Sequence, residues 1–245
     1  MSITLWTLVF FVLTIALLAW PFYPAWQEWR HPIDALALTI KGQTLQAAMP
    51  VSAQVRLEPL SATPATVDAS VRILASSGSR FQKLTAPTIL LGTASSSSSA
   101  AAHAPLRTVL LKMPHSQKWG ARGWRIHGDC HIPDAHQVPG PLVVMGTLTV
   151  GTDCLIDGDI KAHGAVQISA RSQIQGALFS EQTLTLHEDV RVQGPVVSEA
   201  HVDLGPGVII GQLEHPSPLS APTMVAQAGA VVHGTVWASQ SGRVA

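Results

Sequence analysis

Apolar residues recur along the C-terminal half of the chain with a period of 18. Glycines mark the repeat at positions 140, 158, 176, 194 and 211, separated by 18, 18, 18 and 17 residues. Counted from each of the first four glycines, offsets 2, 8, 10, 14 and 16 hold an aliphatic residue or Cys at nineteen of twenty positions, the exception being Ser172. Such a period is typical of repeat folds, in which each unit buries its apolar face only against its neighbours.

The spacing of these apolar offsets predicts short β-strands. Offsets 8 and 10, like 14 and 16, are residues i and i+2 of a strand, so both side chains point to the same side. Offset 2, with small residues at offset 4, supplies a third strand. We therefore predict an all-β fold, a parallel β-helix of triangular 18-residue coils over residues 115–238, right-handed as parallel crossovers generally are. The predicted core comprises Leu142, Leu148, Val150, Ile160, Val166, Ile168, Leu178, Leu184, Leu186, Val196, Val202 and Leu204.

An antiparallel sandwich with regular turns is the alternative fold for this half of the chain. It offers no reason for the identical register of apolar positions in four successive coils. The β-helix is therefore favoured.

A second apolar pattern lies near the N-terminus. Residues 3–23 contain no charge, and as a helix they would span about 31 Å, which matches a hydrocarbon core of about 30 Å. We predict a transmembrane anchor over residues 1–30, with interfacial aromatic residues at both ends, namely Trp6, Trp20, Tyr23 and Trp26. The alternative, a cleaved signal peptide, lacks a charged leading region and a small-residue cleavage site here.

The charges that flank this span suggest its orientation. Arg30 and Lys41 follow it, and positive residues favour the cytoplasmic side. We expect a single-pass protein of the inner membrane with a cytoplasmic C-terminal part, and the presence of only two cysteines fits a reducing compartment. The predicted anchor makes the lipid bilayer one of the expected partners of the protein. The balance of 15 basic and 15 acidic residues gives no indication of nucleic acid.

Residues 31–114 are predicted to form a β-rich intermediate region with flexible insertions. Period-2 alternation around Val55, Ile73 and Ile89 indicates short strands. The segment SATPAT (61–66) and the serine run Ser95–Ser99 have the composition of linkers. This region is also the candidate to cover the first coil, around Trp124, while residues 239–245 are predicted to be a short polar tail.

Histidine and cysteine residues invite a metal-site interpretation. His127, Cys130, His131 and His136 fall within ten residues. The coil frame, however, directs His127 and His131 outward and Cys130 inward, and it places Cys130 and Cys154 on different sides of the coil. We therefore predict no metal site, no cofactor and no disulfide, and interpret the cysteines as small buried residues.

The coil starts GDI (158–160), GAL (176–178) and GPV (194–196), with alternating aliphatic strands and few aromatics, resemble those of the bactofilin family of polymer-forming cytoskeletal proteins. The resemblance covers about residues 120–238. It implies a right-handed β-helix that assembles into filaments without nucleotide, with roles in cell shape or in placing envelope enzymes. The long Trp-rich anchor and the intermediate region depart from the short, soluble members.

The predicted function follows from the ends of the solenoid, whose strand edges are open to pairing. We expect a membrane-tethered structural scaffold that self-associates and is not an enzyme; envelope proteins are further candidate partners. The residues predicted to mediate self-association at the C-terminal end are Met224, Ala226, Val232 and Val236. Two alternatives stay open. One is an acyltransferase of the hexapeptide-repeat type, which also has 18-residue coils, and the other is an interaction platform that does not polymerise.

Overall fold

The computed structural model describes residues 38–40, 52–92, 107–108, 116–120 and 123–245, all within the compact unit Leu36–Ala245. Every regular element in these ranges is a β-strand. The predicted anchor, with Trp6, Trp20, Tyr23 and Trp26, lies outside the described residues, as does the serine run Ser95–Ser99. Among the described residues, no helix is long and apolar enough to cross a membrane.

Twenty-three strands follow one another along the described chain. The first six precede the repeat: β1 (Leu38–Ile40), β2 (Ser52–Leu57), β3 (Ala62–Ala75), β4 (Arg80–Leu91), β5 (Arg107–Thr108) and β6 (Ser116–Trp119). The repeat itself contains β7 (Gly123–Ile126), β8 (Cys130–Ile132), β9 (His136–Val138), β10 (Leu142–Val144), β11 (Leu148–Val150), β12 (Leu155–Ile156), β13 (Ile160–Ala162), β14 (Val166–Ile168), β15 (Gln173–Ile174), β16 (Leu178–Ser180), β17 (Leu184–Leu186), β18 (Arg191–Val192), β19 (Val196–Ser198), β20 (His201–Leu204), β21 (Ile209–Ile210), β22 (Leu219–Ala226) and β23 (Ala230–Val244).

The prediction of an all-β parallel solenoid is confirmed. From β7 to β21 each coil has three strands. Each strand up to β18 pairs in parallel with the strand three places further on, 18 residues later, as Leu142 pairs with Ile160. The first, second and third faces are the sheets that begin with β7, β8 and β9, respectively. The stack amounts to about nine turns.

Inward positions of the repeat are filled by aliphatic side chains. All twelve predicted core residues are at most 1% exposed. Ser172, the one polar residue at the offsets that are otherwise aliphatic or Cys, is also 1% exposed, and the buried Ser180 and Ser198 lie at the small-residue offset of the first face. The hydroxyl of Ser172 donates to the carbonyl of Gly151 (2.8 Å) and accepts from the backbone N–H of Cys154 (3.0 Å). Ser172 is therefore tolerated because both of its hydrogen-bonding roles are satisfied inside the core.

Two features stabilise the corners of the coils, a backbone conformation with positive φ and a hydrogen bond from a backbone N–H to an aspartate side chain. A column of residues spaced 18 apart adopts positive φ before the third face, comprising Ala135, Asp153, Arg171, Asp189 and Gly207. At other corners an aspartate accepts the backbone N–H of the residue 18 positions later, as Asp159 does from Ala177 at 2.7 Å. Successive corners approach closely, so a Cβ on Gly158 would lie 2.6 Å from the carbonyl carbon of Gly140, and glycine is required there.

The last turns depart from the 18-residue period. Val196 pairs with Leu219, 23 residues later, because the loop over residues 211–218 is inserted between them. β22 then covers the first and second faces in one strand, and β23 continues from the third face onto the first and second. The predicted polar tail, residues 239–245, is therefore largely strand, with Val244 fully buried.

The region before the repeat is part of the same stack. β4 pairs antiparallel with β23 through all three faces, β3 pairs in parallel with β4, and β2 and β1 follow. The expected linker SATPAT lies almost wholly within β3. The expectation that this region covers the first coil is wrong for residues 52–92, which cover the last. Of the described strands that precede the repeat, β5 and β6 are the ones that pair with strands of the first coil.

The two parts of the stack have the same handedness. From β7 onward the chain visits the first, second and third faces in that order as it advances toward the β23–β4 junction. From β3 to β4 it visits the second, first and third faces while advancing toward the same junction from the other side. Reversing both the order and the direction of advance leaves the hand of a helix unchanged.

Two buried serines in the N-terminal part contrast with Ser172. Ser61 and Ser79 are fully buried, and their hydroxyls have no hydrogen-bond partner among the residues that the structure describes. A buried polar group without a partner costs roughly 1–3 kcal/mol. The two buried hydroxyls therefore lower the free energy of unfolding of the part of the stack next to β4.

We predict opposite effects for the same substitution at these two kinds of site. Ser79→Ala raises the free energy of unfolding by about 1 kcal/mol, because it removes an unsatisfied hydroxyl, whereas Ser172→Ala lowers it by about 1–3 kcal/mol by leaving partners unpaired. Urea unfolding of the full chain measures both. Equal destabilisation by the two substitutions would contradict this explanation.

Candidate functional site

The residues predicted to mediate self-association lie in the interior of the last two turns. Met224, Ala226, Val232 and Val236 are at most 1% exposed. Val232 pairs with Ile89 of β4, and Val236 pairs with Leu84. The premise of an open C-terminal end does not hold, because β4 occupies the outer edge of β23. Self-association through these residues stays a prediction, and it requires that β4 leave.

The junction between β23 and β4 is held by backbone hydrogen bonds along a whole turn. Gly78 N–H donates to the carbonyl of Val244 (2.7 Å), Val244 N–H donates to that of Ser79 (3.0 Å), and Gly229 N–H donates to that of Leu91 (2.8 Å). Phe81, 2% exposed, packs against Gly242, where a Cβ would leave it no room. The pairing shifts register twice, between Val232 and Gly234 and between Trp237 and Gly242.

One histidine connects the two sides of this junction on the outer surface. His233 of β23 has its Nδ1 atom 3.1 Å from the carbonyl oxygen of Pro87 and 3.4 Å from the hydroxyl of Thr88. The same histidine lines a surface groove of about 290 Å³ on the third face. The groove is largely polar, with Gln173, Arg191 and Gln212 in its lining.

Cysteine and histidine side chains take the directions that the coil frame predicts. Cys130 and Cys154 are buried, on the second and third faces, and are not joined by a disulfide, while His127 and His131 are exposed. His136 is bound through Nδ1 to the carbonyl of Asp134 at 2.6 Å. Within the described ranges no group of three or more His, Cys, Asp or Glu side chains is placed to hold a metal ion.

A hydroxyl, an imidazole and a carboxylate form a chain on the second face. His201 Nδ1 lies 2.7 Å from the hydroxyl of Thr223, and its Nε2 lies 3.0 Å from Asp203 Oδ1. With Nε2 donating to Asp203, Nδ1 can accept the proton of the Thr223 hydroxyl, which also lies 3.4 Å from the carbonyl oxygen of Ala200. This order of groups is the one that activates a hydroxyl nucleophile. Sequence spacing did not reveal it, because Thr223 follows the inserted loop and falls out of the 18-residue frame.

The outer surface of the first face carries a row of apolar and cationic residues with one serine among them. Register pairs connect them without a break in the order Arg125, Val143, Lys161, Phe179, Val197, Ser220, Trp237 and Lys83. Trp237 is 52% exposed, and the Lys161 ammonium lies 5.2 Å from the centre of the Phe179 ring. This row can contact a partner through aromatic and cationic groups together.

The sequence and structure were compared with family models, curated proteins and solved structures, and none matches.

Burial changes the chemistry of the two thiols. It raises the pKa of the Cys130 thiol from its ordinary value of 9.0 to about 11, and it is also the main reason that the pKa of Cys154 is raised. Cys154 additionally donates from Sγ to the carbonyl of Pro133 at 3.1 Å. Both groups are therefore protonated at neutral pH, which makes them poor nucleophiles.

We predict that Cys130 makes the fold sensitive to alkali. Below pH 9.0 the thiol is protonated in both states, so it has no effect on the pH dependence of stability. Between pH 9.0 and about 11 the unfolded thiol loses its proton while the folded one keeps it, so stability falls by about 1.4 kcal/mol per pH unit from this site. Urea unfolding from pH 8 to 11 shows a smaller fall for Cys130→Ala than for wild type. Parallel curves would refute the assignment.

Proposed function

We propose that the protein is a membrane-tethered structural scaffold whose copies associate through their solenoids. Residues 1–30 form the anchor in this proposal, at the inner membrane, with the solenoid in the cytoplasm. The proposal takes the solenoid to be right-handed and related to the bactofilins, as the GDI, GAL and GPV coil starts suggest. Its working part is a rigid body that partners and further copies can contact.

One observation supports a scaffold above all, the unbroken backbone ladder along the third face. Its strands pair in the order β5, β9, β12, β15, β18, β21, β23, β4, β3, β2 and β1. At about 4.8 Å per strand this ladder is roughly 48 Å long. A body cross-linked at every step by backbone hydrogen bonds keeps the spacing of its surface groups fixed, as a scaffold requires.

Fractionation and sedimentation test the proposal on the full 245-residue chain. We expect the chain to stay in the membrane pellet after an alkaline carbonate wash, and to sediment in mild detergent as a multiple of its 25.9 kDa mass. Electron microscopy of the same sample shows the size of the assembly.

Carbonate extraction tests the membrane anchor, and sedimentation tests self-association. Release by carbonate rules out the anchor and leaves self-association to be judged by sedimentation. A monomer at every concentration rules out self-association while β4 is in place, and leaves in that state a tethered platform that does not polymerise.

The chain of Thr223, His201 and Asp203 favours a second candidate function, acyl transfer or ester hydrolysis. The imidazole would take the proton of the Thr223 hydroxyl as that oxygen attacks an activated acyl group, forming an ester and releasing the leaving group. This is the enzymatic alternative that 18-residue coils also suggest, and the hydrogen bonds at 2.7 and 3.0 Å are the observation in its favour.

Incubation with p-nitrophenyl acetate tests this candidate. If it is correct, Thr223 becomes acetylated, as read by peptide mass, and His201→Asn lowers the rate at least tenfold. Thr185→Val, on the same face, is the matched control and leaves the rate unchanged. Labelling that is unchanged in His201→Asn, or no labelling at Thr223, removes the enzymatic candidate.

A further inference from the structure

We propose that β4 is an intramolecular seal on an edge that otherwise takes a second copy of this chain. In the sealed form β4 lies along the outer edge of β23; when β4 leaves, β23 pairs antiparallel with the same strand of another copy. The inference rests on the proposed self-association, and it identifies both the surface and what controls it.

The first support is the composition of β23. From Ala230 to Gly242 the strand contains no Asp, Glu, Lys or Arg, and the next residue is Arg243. Natural sheets protect their edge strands with charges, prolines or bulges that oppose pairing with another chain. β23 has no charge or proline over thirteen residues, and its own irregularity in register is confined to residues between Trp237 and Gly242. An uncovered β23 is therefore a template for pairing on either side of that irregularity.

The second support is the direction of the pairing. A twofold axis perpendicular to the solenoid relates two identical ends so that their edge strands run antiparallel, and it preserves handedness. The seal meets both conditions, because β4 is antiparallel to β23 and the two parts of the stack share one hand. With the axis through the first face near Val236, residues 241–244 of one copy cover residues 228–231 of the other.

The third support is that the seal fits its edge imperfectly. The β4–β23 register shifts twice, and the hydroxyl of Ser79, beside the start of β4, is buried without a described partner. Each register shift interrupts the regular backbone ladder. With the axis near Val236, the Val236 of a second copy would lie where Leu84 of β4 lies in the sealed form. The two strands therefore compete for one edge.

Substitutions in the interior of β4 test the seal in the full chain, in mild detergent. Leu84→Glu, and Leu84→Glu with Ile89→Glu, place a carboxylate where the wild-type side chain is fully buried, which disfavours β4 in its place. Val55→Glu is the matched control, because Val55 is equally buried but lies in β2, which pairs with β3 and not with β4 or β23. Sedimentation equilibrium gives the mass, and hydrogen exchange over residues 78–92 reports whether the seal has left.

We expect the Leu84 variants to show fast exchange over residues 78–92 and at least a twofold rise in mass over wild type, with Val55→Glu unchanged. A synthetic peptide of residues 78–92 should return the variants to the wild-type mass, whereas a scrambled peptide should not. A released seal without a rise in mass overturns the inference, and so does a rise that Val55→Glu shares. A seal that stays protected in both variants overturns it too, because β4 is then not displaceable.

These outcomes are distinct from failure of the proposed function. A wild-type chain that self-associates, with Leu84 variants of the same mass, retains the scaffold and removes the seal. If wild type and released variants are all monomers, both proposals fail.

Discussion

Backbone hydrogen bonding between successive turns is the constraint on which the rest of this structure depends. A single coil has three strands of two to four residues in most turns, and none of them is stable alone. Each becomes stable only when the turn above and the turn below satisfy its N–H and C=O groups. The 18-residue register, the close approach of Gly158 to Gly140 and the aspartate corners all keep these turns in phase.

The same constraint explains what could be predicted from the sequence. Inward positions such as Leu148, Val166 and Leu184 stack at one spot in every coil, so their chemistry repeats and the period is visible. The positive-φ corner was not visible, because Ala135, Asp153, Arg171 and Asp189 share a backbone conformation and no side-chain property. The backbone geometry of the corner, rather than glycine, defines that column.

Two further features escaped prediction because they depend on contacts between distant parts of the chain. The pairing of β4 with β23 joins residues about 150 positions apart, and nothing in the period of either segment specifies the other. The five extra residues between Val196 and Leu219 shifted the frame, which concealed both the outward position of Trp237 and the approach of Thr223 to His201. Local periodicity thus revealed the coils, but not the order in which the ends of the stack are covered.

The reversal of chain direction at the β23–β4 junction has a consequence for any assembly. On one side of the junction the coils run toward it from β7, and on the other side they run toward it from β1. Both outer limits of the described stack are therefore places where a solenoid begins, and neither is a place where one finishes. The two limits differ in their side chains but are alike in the direction of their backbone. A fibre made by joining such bodies at their outer limits would therefore bring edge strands together antiparallel at every contact.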